Sequence, residues 1–173
     1  EYIDDVKPVE PAPVMNTGKL SNVPDGSTEA QEQILCMMMN SPAAVKRFEE
    51  KLGYLIDSDD KVLAMMIVDA IHSRGKTSPS ELIDQTDSQS IKDLISNLAS
   101  GPYSNSEYDE HVMDGDIRKI MINVLQKEKD AYREQMKTNL NDESLEIITS
   151  KYSECIRKLR RLYDEEDSEQ EEQ

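Results

Sequence analysis

Cys36, Met37, Met38 and Met39 stand side by side in the stretch QILCMMMNSP, and thiolate with thioether is the donor set that soft metals select. A site needs those donors to converge. On a helix Ile34, Leu35, Met38 and Met39 fall in one broad apolar stripe, while Cys36 and Met37 lie toward its edges, so the four sulfurs cannot meet at one ion. The row reads as a first core helix. Its chemical liability is oxidation, which would loosen Met-rich packing.

Carboxylates offer harder ligands, in two places. DSDDK (57–61) begins like a calcium loop, but such a loop needs Gly at its sixth position and a chelating Glu at its twelfth, where this chain has Val62 and Val68. Acids before an apolar run instead match a helix N-terminus. Asp114 and Asp116 in DGD have no third acid at a strand end and open a long helical pattern, so they too read as structural. His72 and His111 have no Ser, Cys or second His in a recognisable arrangement. GKTS (75–78) mimics the end of a phosphate loop without the preceding Gly or strand. These residues give catalysis no foothold, and no metal or cofactor is expected.

One cluster differs in kind. Lys151, Arg157, Lys158, Arg160 and Arg161 gather near the C-terminus with only Glu154 among them. They either offset a helix dipole and the acidic tail or meet an acidic partner surface. Ile147, off the apolar stripe of the same segment, adds weight to the second reading.

The elements that must carry these residues are helical. Thr28 with Gln31 fits a capping box, Ser41-Pro42 and Ser78-Pro79 are N-cap and first-turn pairs, and Ser58 and Asp87 are expected caps. Gly75 and Gly101-Pro102 are stops. Between them apolar residues recur at three and four: Val45, Phe48, Leu52 and Leu55; then Val62, Met65, Met66, Val68, Ala70 and Ile71; then Ile91, Leu94, Ile95 and Leu98. Five short helices with short connections predict a compact bundle. After residue 105 a long pattern carries Ile117, Met121, Val124, Leu125, Tyr132, Met136 and Leu140 to a break at Asn141-Asp142, and a second carries Leu145, Ile148, Tyr152, Ile156, Leu159 and Tyr163. Laid antiparallel, the stripes face each other, Met136 near Leu145 and Leu125 near Leu159, as a helical hairpin on a long stalk.

The expected organisation is thus all-α: a Pro-rich linker over 1–27, a bundle over 28–105, a long helix and hairpin over 106–163, and a disordered acidic tail over 164–173. The net charge of −16 in 173 residues is uneven, with −7 in the tail, −3 in residues 1–28 and −6 between. Such a chain is not an autonomous nucleic-acid-binding module, because phosphate contacts need a basic face. Two cysteines without a C-x-x-C fit free thiols in a reducing cytoplasm, and no apolar run has transmembrane length. A first residue Glu1 and a Pro-rich leader suggest a piece of a longer protein.

The Pro-rich leader, TEAQEQILCMMMNSPAAVKRFEEKL, SPSELIDQTDSQSIKDLISNLA, the long helix and the terminal hairpin together resemble the C-terminal helicase-binding domain of the bacterial replicative primase (DnaG type), over about residues 28 to 163. The resemblance implies a non-catalytic domain of a primer-synthesising nucleotidyltransferase. It would bind the N-terminal domains of the hexameric replicative helicase (DnaB type) mainly through the hairpin, with no direct nucleic-acid or membrane contact. The expected docking residues are Leu140, Asn141, Ile147, Lys151, Arg157, Lys158 and Arg161. The helicase's own N-terminal domain is a related bundle with a hairpin, and the Pro-rich leader and acidic tail favour primase over it. A third reading, from another class, is an acidic helical scaffold that shields basic partners.

Overall fold

The computed structural model describes residues 26–138 and 141–171. Among them the chain forms seven α-helices and no strand: α1 (Gly26–Asn40), α2 (Pro42–Lys51), α3 (Ser58–Arg74), α4 (Pro79–Asp84), α5 (Gln89–Ser100), α6 (Glu110–Gln135) and α7 (Asp142–Glu171). The fold is all-α, five short helices followed by two long ones.

Local chemistry sets most boundaries. Ser41 Oγ accepts from the Ala43 N–H (3.2 Å) and Ser78 Oγ from the Glu81 N–H (3.3 Å), each with Pro in the first turn, where a missing N–H costs nothing. Asp109 caps α6, its Oδ1 accepting from the N–H groups of His111 (2.9 Å) and Val112 (3.1 Å). Gly75 ends α3 in the left-handed region (φ 73°), its N–H donating to Ile71 O at 2.7 Å. At Gly101 a Cβ would lie 2.8 Å from Asn97 O, so only glycine closes α5 there. Two caps sit one residue from where the sequence places them: Asp57 instead of Ser58 for α3, and Ser88 instead of Asp87 for α5.

The core is built around α1, which packs against α2, α3, α5 and α6. This surrounding corrects the one-stripe reading: Cys36 and Met37 are as buried as Ile34, Leu35 and Met38, because a helix packed against four others buries more than one stripe. The capping box is corrected as well. Because α1 starts at Gly26, Gln31 is already a full turn inside the helix, and its side chain serves another purpose. Its Oε1 accepts from the N–H groups of Ile56 (2.6 Å) and Asp57 (3.2 Å), and its Nε2 donates to Asp57 Oδ2 (3.0 Å), pinning the α2–α3 loop. On α3 the buried face is Leu63, Ala64, Ile67, Ala70 and Ile71, complete at three- and four-residue spacing, so Val62 and Met65 are surplus and point outward.

The expected division at residue 105 falls short of where the core ends. Met113, Ile117 and Ile120 of α6 belong to the bundle core, so the long helix is shared: its first turns complete the bundle and its last turns pair with α7. The antiparallel pairing puts Thr149 Oγ1 3.8 Å from Met136 Sδ and Gln126 Nε2 2.7 Å from Tyr163 Oη. A further correction concerns the tail. Residues 164–171 continue α7 as helix, since Glu and Gln are good helix formers and no Gly or Pro interrupts them. Gly26 and Ser27 likewise belong to α1; residues 1–25 of the expected linker lie outside the described residues.

Candidate docking surface

The two acidic motifs resolve into structural pairs. Arg47 grips Asp114 through two bonds (2.8 and 2.5 Å) and reaches Glu110 (2.8 Å), tying α2 to α6. That bidentate bond holds the Asp114 carboxyl below its ordinary range and the guanidinium above its own. Asp116, buried, takes one bond from Lys119 Nζ (3.1 Å), and burial raises its carboxyl. In DSDDK, Asp60 is buried and pushed up to about 6, first by desolvation and then by Asp57, Glu32 and Asp59. His72 pairs with Glu49 at 3.0 Å. Cys36 Sγ donates to Leu98 O, and burial, reinforced by Glu32, lifts its thiol to about 11, an inert sulfur. Among the described residues no group of three or more His, Cys, Asp or Glu side chains is placed to hold a metal ion.

The C-terminal residues behave differently. Asn141 caps α7, its Oδ1 accepting from the Ser144 N–H at 2.8 Å. Leu140 lies outside the described residues. Ile147 is 51% exposed, a large apolar side chain held in solvent. Residues 147, 151, 154, 158 and 161 follow at alternating four- and three-residue steps and so share one flank of α7. Along that flank Lys151 Nζ stands 6.0 Å from the centre of the Tyr132 ring and Lys158 pairs with Glu154 at 2.8 Å. That bond raises the Lys158 ammonium and lowers the Glu154 carboxyl. Arg157 is off the flank; with Arg160 and Arg161 it borders a shallow depression around Ile156. Six of the seven expected residues are therefore described: Ile147, Lys151, Lys158 and Arg161 share one apolar-basic flank, Arg157 lies beside it, and Asn141 caps the helix.

A second apolar surface escaped the sequence. Tyr54 (43%), Val62 (43%) and Met65 (67%) are exposed, and Met65 borders a groove floored by Phe48, Leu55 and Val68. Tyr54 also borders a second groove of about 580 Å³, where Lys51, Arg118, Lys158 and Arg161 surround Met121, Val124 and Leu162. Val62 and Met65 stood within the expected apolar band of α3, and only the buried face shows them to be surplus to it. Lys51 and Arg118 were equally hidden, because only the return of α7 past the bundle brings them to Lys158 and Arg161.

Among the described residues no helix is long and apolar enough to cross a membrane. The chain matches no model of a known protein family, and no curated protein is similar to it in sequence.

Proposed function

We propose that this chain is a protein-docking module: the helicase-binding domain of a bacterial replicative primase of the DnaG type, working in the cytoplasm. It binds the N-terminal domains of the hexameric replicative helicase through its hairpin. Primer synthesis resides in other domains of the same polypeptide, and tethering raises their effective concentration where the strands part.

The observation that supports this reading is the projecting hairpin. Rooted in the bundle core through Met113, Ile117 and Ile120, α6 extends outward to pair with α7, which holds Ile147 in solvent one turn from Lys151, with Lys158 and Arg161 further along the same flank. An exposed apolar anchor with cations spaced along the same flank suits an acidic helical surface, with the apolar contact supplying affinity and the charges steering approach.

The test is association with the cognate helicase. Mixed at tens of micromolar, the two should co-elute on size exclusion as a complex heavier than the helicase hexamer; separate elution at that concentration sinks the reading. Ile147→Asp should weaken the complex at least about tenfold, and the isolated chain should make no primer on single-stranded DNA. Primer synthesis by this chain would overturn the assignment of that chemistry to other domains.

A further inference from the structure

The last turns of α7 run against electrostatics. From Asp164 to Glu171 six of eight residues are acids, at the end of the helix where the dipole favours cations. Glu165 and Glu169, and Asp167 and Glu171, repeat like charge at four-residue spacing, which opposes helix formation. Arg160 and Arg161 precede Asp164 and Glu165 by four, the weaker orientation for a helical ion pair. Propensity alone has to overcome all of this unless positive charge lies alongside.

It does lie alongside. Glu165 borders the groove that also holds Lys51 and Arg118, contributed by two other helices. The direction extends the contact: Tyr163 meets Gln126, and beyond it the backbone of α7 runs on antiparallel to α6, toward the turn that carries Arg118. The acidic turns thus travel beside the basic wall of the groove. Asp114 and Glu128 also line the groove; Asp114 is gripped by Arg47 from outside it, with Lys51 and Arg118 lowering its carboxyl further.

We propose that the acidic end of α7, residues 164–171, is an intramolecular latch: it keeps its helical form by lying along the Lys51–Arg118 groove, and salt or a competing acidic segment releases it. Closed, the latch screens the groove's cations with the chain's own carboxylates. Open, it leaves Met121, Val124 and Leu162 accessible between four cations. The latch does not depend on the helicase reading, since its charges all belong to this chain.

Amide hydrogen exchange on the whole chain tests it. Raising salt from about 20 mM to about 1 M, where the screening length falls to about 3 Å, should cut protection of amides 164–171 about fivefold. Amides 150–158 should hold. Lys51→Gln with Arg118→Gln should bring the same loss at low salt and abolish the salt response. A hexaglutamate peptide at millimolar concentration should also lower tail protection, while hexaglycine should not. Tail protection indifferent to salt in the unsubstituted chain would overturn the latch whether or not the double variant folds. Tail protection that salt lowers but hexaglutamate leaves intact would overturn release by an acidic segment.

Discussion

The bundle and the hairpin are made from the same residue types and differ in how many sides of a helix they cover. In α1 nine of 15 residues are buried, with four helices packed around it; in α7, twice as long, only Cys155 and Leu159 are buried among the described side chains. A helix covered on one side gains little from packing per residue, and propensity carries a larger share of its stability. The difference separates two duties. The bundle supplies the fold's free energy, and the hairpin, anchored through α6, can present side chains such as Ile147 to solvent without the bundle loosening.

The sharpest way to break that contrast is a cavity in each part. Leu35→Ala, in a fully buried position on the central helix, should cost about 2–5 kcal/mol and lower the denaturation midpoint of the whole molecule. An effect confined to α1 and α2, with the hairpin keeping its own transition, would mean that α6 does not couple the two parts.

The two regions should also answer pH differently. Asp60 in the bundle titrates at about 6 when folded against 3.8 as its ordinary value, so the folded state binds the proton more tightly. Its contribution is present in full below about pH 4 and is lost as pH rises through 6, by up to about 3 kcal/mol. Asp116 shifts the same way, whereas Asp114, lowered by Arg47, opposes them only below its ordinary range. In the hairpin, Glu134 and Glu154 are lowered by Lys137 and Lys158 at exposed positions and should contribute little. Melting from pH 7.5 to 4.5 should therefore show the bundle gaining stability on mild acidification, and Asp60→Asn should remove most of the gain. A profile unchanged by that substitution would show that the buried carboxyl is not its source.

In the hairpin, Leu159→Ala removes one of the two buried side chains of α7 and should cost about 1–2 kcal/mol, less than in a closed core because solvent can follow the deletion. Exchange should rise across α7 and the last turns of α6 while α1 stays protected. Exchange that rises equally in α1 would erase the distinction between the parts.

What the sequence made legible follows the same line. Hairpin and bundle were readable wherever a residue's role is local: Ser41, Ser78, Gly75 and Gly101 act on their own turn, and the Leu125–Leu159 stripe follows from spacing. Wherever a role depends on distant partners, spacing alone misled. Gln31 looked like half of a capping box and is a buried clamp on residues 56 and 57. Cys36 and Met37 looked like edge positions because a helical wheel cannot tell how many neighbours a helix has. The acidic tail read as unstructured from charge alone, and the groove cations that accompany it come from three helices. For the docking surface, Ile147 was visible as an apolar residue off the stripe, while Val62 and Met65 were hidden inside a pattern that looked like core.

The smallest expected effect tests the sulfur row. Peroxide reaches thioethers by exposure, so Met65, 67% exposed, should convert to sulfoxide first, while Met37 and Met38, at 0%, should react only when the bundle opens. The first event should shift stability by no more than about 0.5 kcal/mol, as for a surface substitution. The second puts a polar oxygen into a core with no partner for it and should unfold the molecule cooperatively. Peptide mass analysis against peroxide exposure should therefore show two well-separated phases, the slow one accelerated by denaturant and by Leu35→Ala. Single-phase oxidation of Met65 and Met38 would mean that α1 exchanges with solvent as freely as a surface helix, and the contrast between a helix packed against four others and a hairpin closed on one side would fail at its centre.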